Sequence, residues 1–337
     1  MSHYPYPMLQ RPSMIWTKET DKTRDLKVHE WIETIGDTEV DWSPYDVTIL
    51  GVPLSKSSIS TSAASENPDA MRQAWKSFGT YNLDEDIDLA ALKVVDLGDV
   101  KQHVTAIASS HRNIEEAMAA IRSHHPHTLP ITMGGDHSIT ARLVKGWKEA
   151  HPKETIGILQ IDSHFDLRDL KIFGPANGTP IRNIIESGTV KGEHIHTIGL
   201  HGFFNAKELK YVANRNGIRY MTMKQARKEG VERVIAYALE QLNQQVDTIY
   251  LTVDMDVLDI VHGPGTPAAA PGGMYTEELF DAVQLAGEHP KVKAMDIVCL
   301  DPRKDVAQIT VKNAVHTMLS FLTGYCKRGE KGDYRNN

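Results

Sequence analysis

The chain has 337 residues, 41% apolar and 24% charged, so it can bury a large core as one large α/β domain or two smaller ones. A net charge of −7, with no basic stripe carrying interleaved aromatics, argues against a nucleic-acid partner. No apolar run approaches the roughly 18 residues needed to span a bilayer, and residues 1–11 hold no continuous apolar stretch, so neither membrane insertion nor export is expected. The two cysteines, Cys299 and Cys326, are too few for a disulfide scaffold and fit a reducing cytoplasm.

In chain order, apolar runs at 47–52 and 92–97 read as buried strands, and the spacing at 114–121 reads as a helix leading to a third run at 129–133. Asn67-Pro68 supplies a helix start, an N-cap candidate followed by proline. Helix is then expected at 141–150 and strand at 156–161 and 194–200. Helix follows at 206–214 and 231–242, strand at 248–253, helix at 276–286, strand at 292–300 and helix at 311–322. This alternation is the signature of a parallel sheet covered by helices on both faces. His124-His125-Pro126-His127 reads as a run of cationic histidines at a helix C-terminus rather than as a second metal site. Residues 327–337 are polar and read as a frayed tail.

Three clusters follow strand-like runs: Gly134-Gly135-Asp136-His137-Ser138, Asp162-Ser163-His164-Phe165-Asp166 and Asp254-Met255-Asp256. Alternate residues of a strand share a side, which places Asp162, His164 and Asp166 together and Asp254 with Asp256. With His137 the set holds four carboxylates and two imidazoles and no thiolate. Four negative charges balance two divalent cations, so the pattern proposes a two-metal hydrolytic site at the carboxyl ends of the strands. Any one cluster alone is better read as solvated loop residues or helix caps; it is the three together that point to a metal site. Residues 258–273 are too rich in glycine and proline for a regular element and read as a long loop walling the site.

These clusters, in this order and spacing, resemble the ureohydrolase family of arginases, agmatinases and related guanidino and formimino hydrolases, over residues 47–322. The resemblance implies an α/β fold, a three-layer αβα sandwich with a mainly parallel central sheet. It also implies two divalent metal ions, manganese first and nickel as the alternative. His137 and Asp166 would bind one ion and His164 and Asp256 the other, with Asp162 and Asp254 bridging. Asp166 would also hold the hydrolytic water and hand its proton to the leaving nitrogen. The implied layout is an N-terminal extension at 1–40, a single catalytic domain at 41–326 and the polar tail at 327–337. The partner would be a small-molecule substrate, with no nucleic acid or membrane, and the chain would form a homo-oligomer.

Within the family the likeness is greatest to the bacterial formimidoylglutamases. It is carried by Gly51-Val52-Pro53-Leu54-Ser55-Lys56-Ser57-Ser58, Asp96-Leu97-Gly98-Asp99, Asn177-Gly178-Thr179-Pro180 with Arg182, and Val253-Asp254-Met255-Asp256-Val257-Leu258-Asp259. The implied reaction is hydrolysis of N-formimino-L-glutamate to L-glutamate and formamide. The alternatives are an agmatinase-like or other guanidino or amidine hydrolase with a small or neutral substrate, and a non-catalytic binding protein of the same fold.

Departures from the family bear on the substrate. Asn177 stands where arginases and agmatinases carry a proton-relaying histidine; it cannot titrate but can hydrogen-bond. Cys299 stands where a glutamate usually meets the cationic amidine or guanidine, and it reads either as a pocket residue or as a small buried apolar one. His201 stands where relatives place an arginine, and reads as a weaker carboxylate partner or as a solvent-facing loop residue. Arg182 is a carboxylate clamp or a helix-surface residue. Asn177, Thr179, Arg182, His201 and Cys299 are thus the substrate-contact candidates, with Asp166 and Asn177 as catalytic candidates.

Overall fold

A computed structural model describes residues 8–10, 26–36 and 44–330. Its strands are β1 (Leu9–Gln10), β2 (Glu33–Thr34), β3 (Val47–Gly51), β4 (Tyr81–Asn82), β5 (Ile87–Asp88) and β6 (Val94–Val100). They continue as β7 (Leu129–Met133), β8 (Ile156–Ile161), β9 (Ile195–Leu200), β10 (Arg219–Thr222), β11 (Thr248–Asp254) and β12 (Val292–Val298). One sheet runs in the order β1-β6-β3-β7-β12-β11-β8-β9-β10, with β2 also pairing β6. Its pairings are parallel except where β1 meets β6. β4 and β5 form a separate antiparallel hairpin.

The central strands are buried on both faces, which is why they read as continuous apolar runs rather than alternating ones. One face carries the helices Asn67–Ala74, Val231–Asn243, Thr276–Glu288 and Ile309–Glu330 over Ile49, Ile131, Leu159, Leu251 and Ile297. The other carries Ile107–His124, Ser138–Ala150 and Pro180–Glu186 over Leu50, Leu97, Ile158, Tyr250 and Val298. The result is the expected three-layer αβα sandwich.

Several local expectations change. Asn67 does not cap its helix. Its side-chain amide instead donates to the carbonyl of Gly134 at 2.8 Å, tying that helix to the first acidic cluster. The last helix runs to Glu330, into the first four residues of the expected tail, where Arg328 is buried and its guanidinium donates to the carbonyls of Gly287 and Val292; residues 331–337 lie outside the described residues. His125 is not a surface cation: burial holds its imidazole down at about 4. The edge strands β1, β2 and β10 went unread because each is short, and β10 lacks buried residues.

Arg72, on the helix Asn67–Ala74, is fully buried and forks onto Asp96 at 2.7 and 2.9 Å while reaching Asp99 at 2.8 Å. The Asp96-Leu97-Gly98-Asp99 stretch therefore anchors a helix to the sheet. On the other flank His196 of β9 is buried opposite Arg219 of β10, and burial, aided by that charge, holds its imidazole at about 4 rather than 6.5. Above pH 6.5 it is neutral in both folded and unfolded chains. As pH falls from 6.5 to 4 the unfolded chain takes up a proton that the fold refuses, so stability is lost through that window. The urea midpoint of the native sequence should thus fall more steeply between those pH values than that of His196→Phe; parallel curves would contradict this.

Candidate metal centre

β7, β12, β11 and β8 are neighbours in the sheet. Their carboxyl ends lead into His137, Cys299, Asp254 with Asp256, and Asp162 with His164 and Asp166. Parallel strands place these chain exits side by side, and the crevice above them is where such sheets take ligands. The convergence does not come from strand alternation, however. β8 ends at Ile161, and residues 162–166 form a loop in which Asp166 adopts a left-handed φ of 55°. Asp254 closes β11, and Asp256 sits in the short helix Met255–Val257, its N–H donating to Asp254 Oδ1 at 2.9 Å.

The side chains gather into donor triads of His137, Asp162 and Asp166; of Asp162, His164 and Asp256; and of His137, Asp254 and Cys299. Asp162 is common to the first two. His137 Nδ1 lies 2.8 Å from Asp166, 3.2 Å from Asp162 and 3.2 Å from Asp254. Ligand atoms about 2.1 Å from one octahedral cation stand about 3.0 Å from each other, so this spacing is that of a coordination shell. His164 Nδ1 lies 3.1 Å from Asp256 and 3.6 Å from Asp162, and its side chain is the most exposed of the six.

The tautomer of His137 tests the fit. Thr252 donates its hydroxyl hydrogen to Asp296 Oδ1 at 2.5 Å, so its contact with His137 Nε2 at 2.9 Å must run from the imidazole N–H to the Thr252 oxygen. Nε2 being the donor to Thr252, Nδ1 is the atom left for a cation. In the protein alone, although burial opposes it, the surrounding carboxylates raise the imidazole well above its ordinary value, and Nδ1 and Asp166 Oδ2, 2.8 Å apart, lack a hydrogen bond of good geometry. Buried polar atoms left this way are costly unless a cation joins them. In the protein alone, burial and the Asp162 charge push Asp166 up to about 7, and burial with Asp256 and Asp162 pushes Asp254 far up. The donor set fits two divalent cations.

Around the donors lies a polar scaffold that cluster spacing did not reveal. Asp296 also accepts from Thr140 at 2.7 Å and Tyr250 at 2.9 Å. Gln160 donates to Asp162 Oδ2 at 2.8 Å and accepts from Thr197 at 2.7 Å. Ser163 donates to Asp256 at 2.7 Å. Asn205 bridges the peptide groups beside His164, accepting from Phe165 N at 3.0 Å and donating to Ser163 O at 2.8 Å. The available signal was a polar residue inside an apolar run: Gln160 and Thr252 each precede an aspartate by two residues, on the same strand side. Asp296→Asn should release Thr252 and weaken metal binding 10–100-fold, a typical loss for such partners. Calorimetric titration with Mn2+ checks this, and unchanged affinity would refute the relay.

The other candidates are placed as follows. Cys299 is buried beside His137 and Asp254, in a left-handed conformation at φ 62°, with its N–H donating to the carbonyl of Gly135 at 2.9 Å. Burial and the neighbouring carboxylates push its thiol far up. Gly135 must lack a side chain, since a Cβ there would lie 1.9 Å from the carbonyl oxygen of Leu54. His201 follows β9; its Nδ1 donates to the carbonyl of Gly199 at 2.9 Å, leaving Nε2 buried without a partner. Phe204 meets both His201 and His164 edge-on. Gly272, in the long loop, comes near His201, so this loop does approach the site.

Asn177, Thr179 and Arg182 are engaged elsewhere. Asn177 accepts from Ile59 N at 2.9 Å and its own N–H donates to Ser57 O at 3.1 Å, joining two loops. The Thr179 hydroxyl is spent on Gly174 and Ala176 within its own loop. The Arg182 guanidinium pairs with Glu186 one helical turn on and lines a separate groove with Arg168 and Arg215, away from the donors, while its backbone N–H donates to the carbonyl of Asp166 at 3.1 Å and so ties the helix Pro180–Glu186 to the ligand loop.

A profile of the arginase family matches residues 45–324. The chain belongs to the arginase family. It is 43% identical over 278 residues to a formimidoylglutamase of Halalkalibacterium halodurans, covering 82% of this chain and 86% of the relative. The crystal structure of formimidoylglutamase from Bacillus subtilis superposes with a TM-score of 0.85 at 34% identity, covering 95% of this chain and 97% of that one. Trypanosoma cruzi formiminoglutamase, solved with Mn2+, shares the fold at a TM-score of 0.81 and 22% identity, covering 90% and 99%. Among the described residues no helix is long and apolar enough to cross a membrane.

Proposed function

We propose that this protein is a dinuclear metal hydrolase of linear amidines that cleaves N-formimino-L-glutamate with water to L-glutamate and formamide. The reaction class is carried by one observation, two donor triads sharing Asp162 at the ends of adjacent strands. The choice of amidine is supported by the likeness to formimidoylglutamases along most of both chains.

By family resemblance His137 and Asp166 would hold one ion and His164 and Asp256 the other, with Asp162 and Asp254 between them. When bound, two divalent ions, Mn2+ first, would supply a water acidified toward neutrality and positive charge against the negative charge that develops on the attacking oxygen. Asp166, besides serving as a ligand, would take the proton of the attacking water and return it to the leaving nitrogen, as the family resemblance implies. Gln160, Ser163 and Thr252 hold the ligand oxygens and the His137 ring in register. Asn177 acts by position, holding residues 57–59 over the cleft, while Nε2 of His201 offers the substrate a buried hydrogen-bonding nitrogen. Family resemblance supports a homo-oligomer, and two free cysteines suit a reducing cytoplasm.

The test is turnover of N-formimino-L-glutamate beside agmatine, arginine and guanidinobutyrate by the Mn2+-loaded protein. Turnover of the formimino compound alone is expected; turnover of a guanidino compound instead would move the substrate, and none at all would remove the hydrolase reading. Cys299→Glu restores the anion usual in the family, and a charge-assisted contact of about 1.5–3 kcal/mol should raise the relative kcat/KM for cationic guanidino compounds roughly tenfold or more. An unchanged substrate profile would take Cys299 out of the substrate pocket.

A further inference from the structure

Beside the metal centre lies a cavity of about 560 Å3 that none of the six candidate ligands lines. Residues 56–59 form one wall, and the start of the helix Ile107–His124 forms another, with Arg142 reaching in from the helix Ser138–Ala150. Three lining residues are cations, Lys56, Arg112 and Arg142. The one lining carboxylate, Glu115, is already spent on Arg142 and Lys145 at 2.7 Å each. Two donors in the wall have no acceptor: the Ser58 hydroxyl and Arg142 Nε are buried without a hydrogen-bond partner. The adjacent helix is uncapped as well, since Ala106 at its N-cap brings no side-chain acceptor. First-turn N–H groups and the positive end of the helix dipole therefore add to the same potential.

Buried donors without acceptors, cations in excess and an uncapped helix start share one remedy, an anion. We propose that this cavity binds a small carboxylate or phosphate anion at a site separate from the metal centre. Its occupancy braces residues 56–59. That loop is tied through three contacts to Asp136, which precedes the ligand His137, and to Asn177: Ser57 N donates to Asp136 at 3.1 Å, Asn177 N donates to Ser57 O at 3.1 Å, and Ile59 N donates to Asn177 at 2.9 Å. His111 Nε2 adds a fourth link, lying 3.3 Å from the Ser57 hydroxyl and 3.2 Å from that of Ser138, next to His137. A bound anion thus acts on the positions of Asn177 and His137 from behind the loop, whichever amidine is turned over.

The test titrates the full chain, both metal-free and Mn2+-loaded, with inorganic phosphate and separately with L-glutamate, by calorimetry. One saturable site for either anion in both metal states is expected, and the anion that binds names its source. Arg112→Ala, which changes an exposed residue at the rim, should weaken it about tenfold or more, and Ser58→Ala about threefold, with Mn2+ stoichiometry unchanged. Saturable binding of neither anion would overturn the proposal. So would binding that is lost with the metals or displaced by N-formimino-L-glutamate, which puts the anion at the metal centre, and so would affinities unaltered in both variants.

Discussion

Asp162→Ala should lose both metal ions and lower turnover by about a thousandfold or more. Asp162 is the one residue common to the triads around His137 and His164, so its removal opens both at once. The ions supply several kcal/mol of charge stabilisation, and each 1.36 kcal/mol is tenfold in rate. Its carboxylate also accepts from His164 N at 2.6 Å and from Gln160 at 2.8 Å, so the ligand loop loosens as well. Asp166→Ala and Asp256→Ala each open a single triad and should leave one ion behind with sharply lowered turnover. Metal analysis by plasma emission together with kcat decides this. Two ions retained in Asp162→Ala would contradict its place at the shared position.

The second large effect lies away from the chemistry. Arg72→Ala leaves Asp96 and Asp99 buried without their cation, a loss of about 3–5 kcal/mol for a buried pair broken on one side. The penalty exceeds that of an ordinary surface pair because Arg72 and Asp96 are each 1% exposed, with no water to take over. Urea unfolding of the metal-free protein measures it. A loss below about 1 kcal/mol, the range of exposed pairs, would show that solvent screens the network.

What was legible in the sequence follows the range of the interaction that decides it. The buried strands β7 and β8 could be read to the residue, since burial on both faces leaves an unbroken apolar run. That the donors gather was legible only from the three clusters taken together, since Asp and His after any one such run read more readily as loop residues or helix caps. Why they converge was not, because Asp162 to Asp166 meet through a loop with a left-handed Asp166 rather than through strand alternation. Asn177, Thr179 and Arg182 were carried over from the family resemblance, but the direction of a loop or helix side chain depends on what packs against it. Ile59, the 174–176 turn and Glu186 decide those directions. Arg72 with Asp96 and Asp99, and Asp296 with Thr252, are long-range pairings with no local signature beyond a polar residue in an apolar stretch.

The central claim is that two ions in one shared donor set make an amidine hydrolase. The direct measurement is a titration of metal-free protein with Mn2+, following N-formimino-L-glutamate turnover at each addition. Activity should rise to a plateau at two ions per chain, with L-glutamate and formamide formed in equal amounts. A plateau at one ion per chain, or two bound ions without turnover of any amidine, would contradict it.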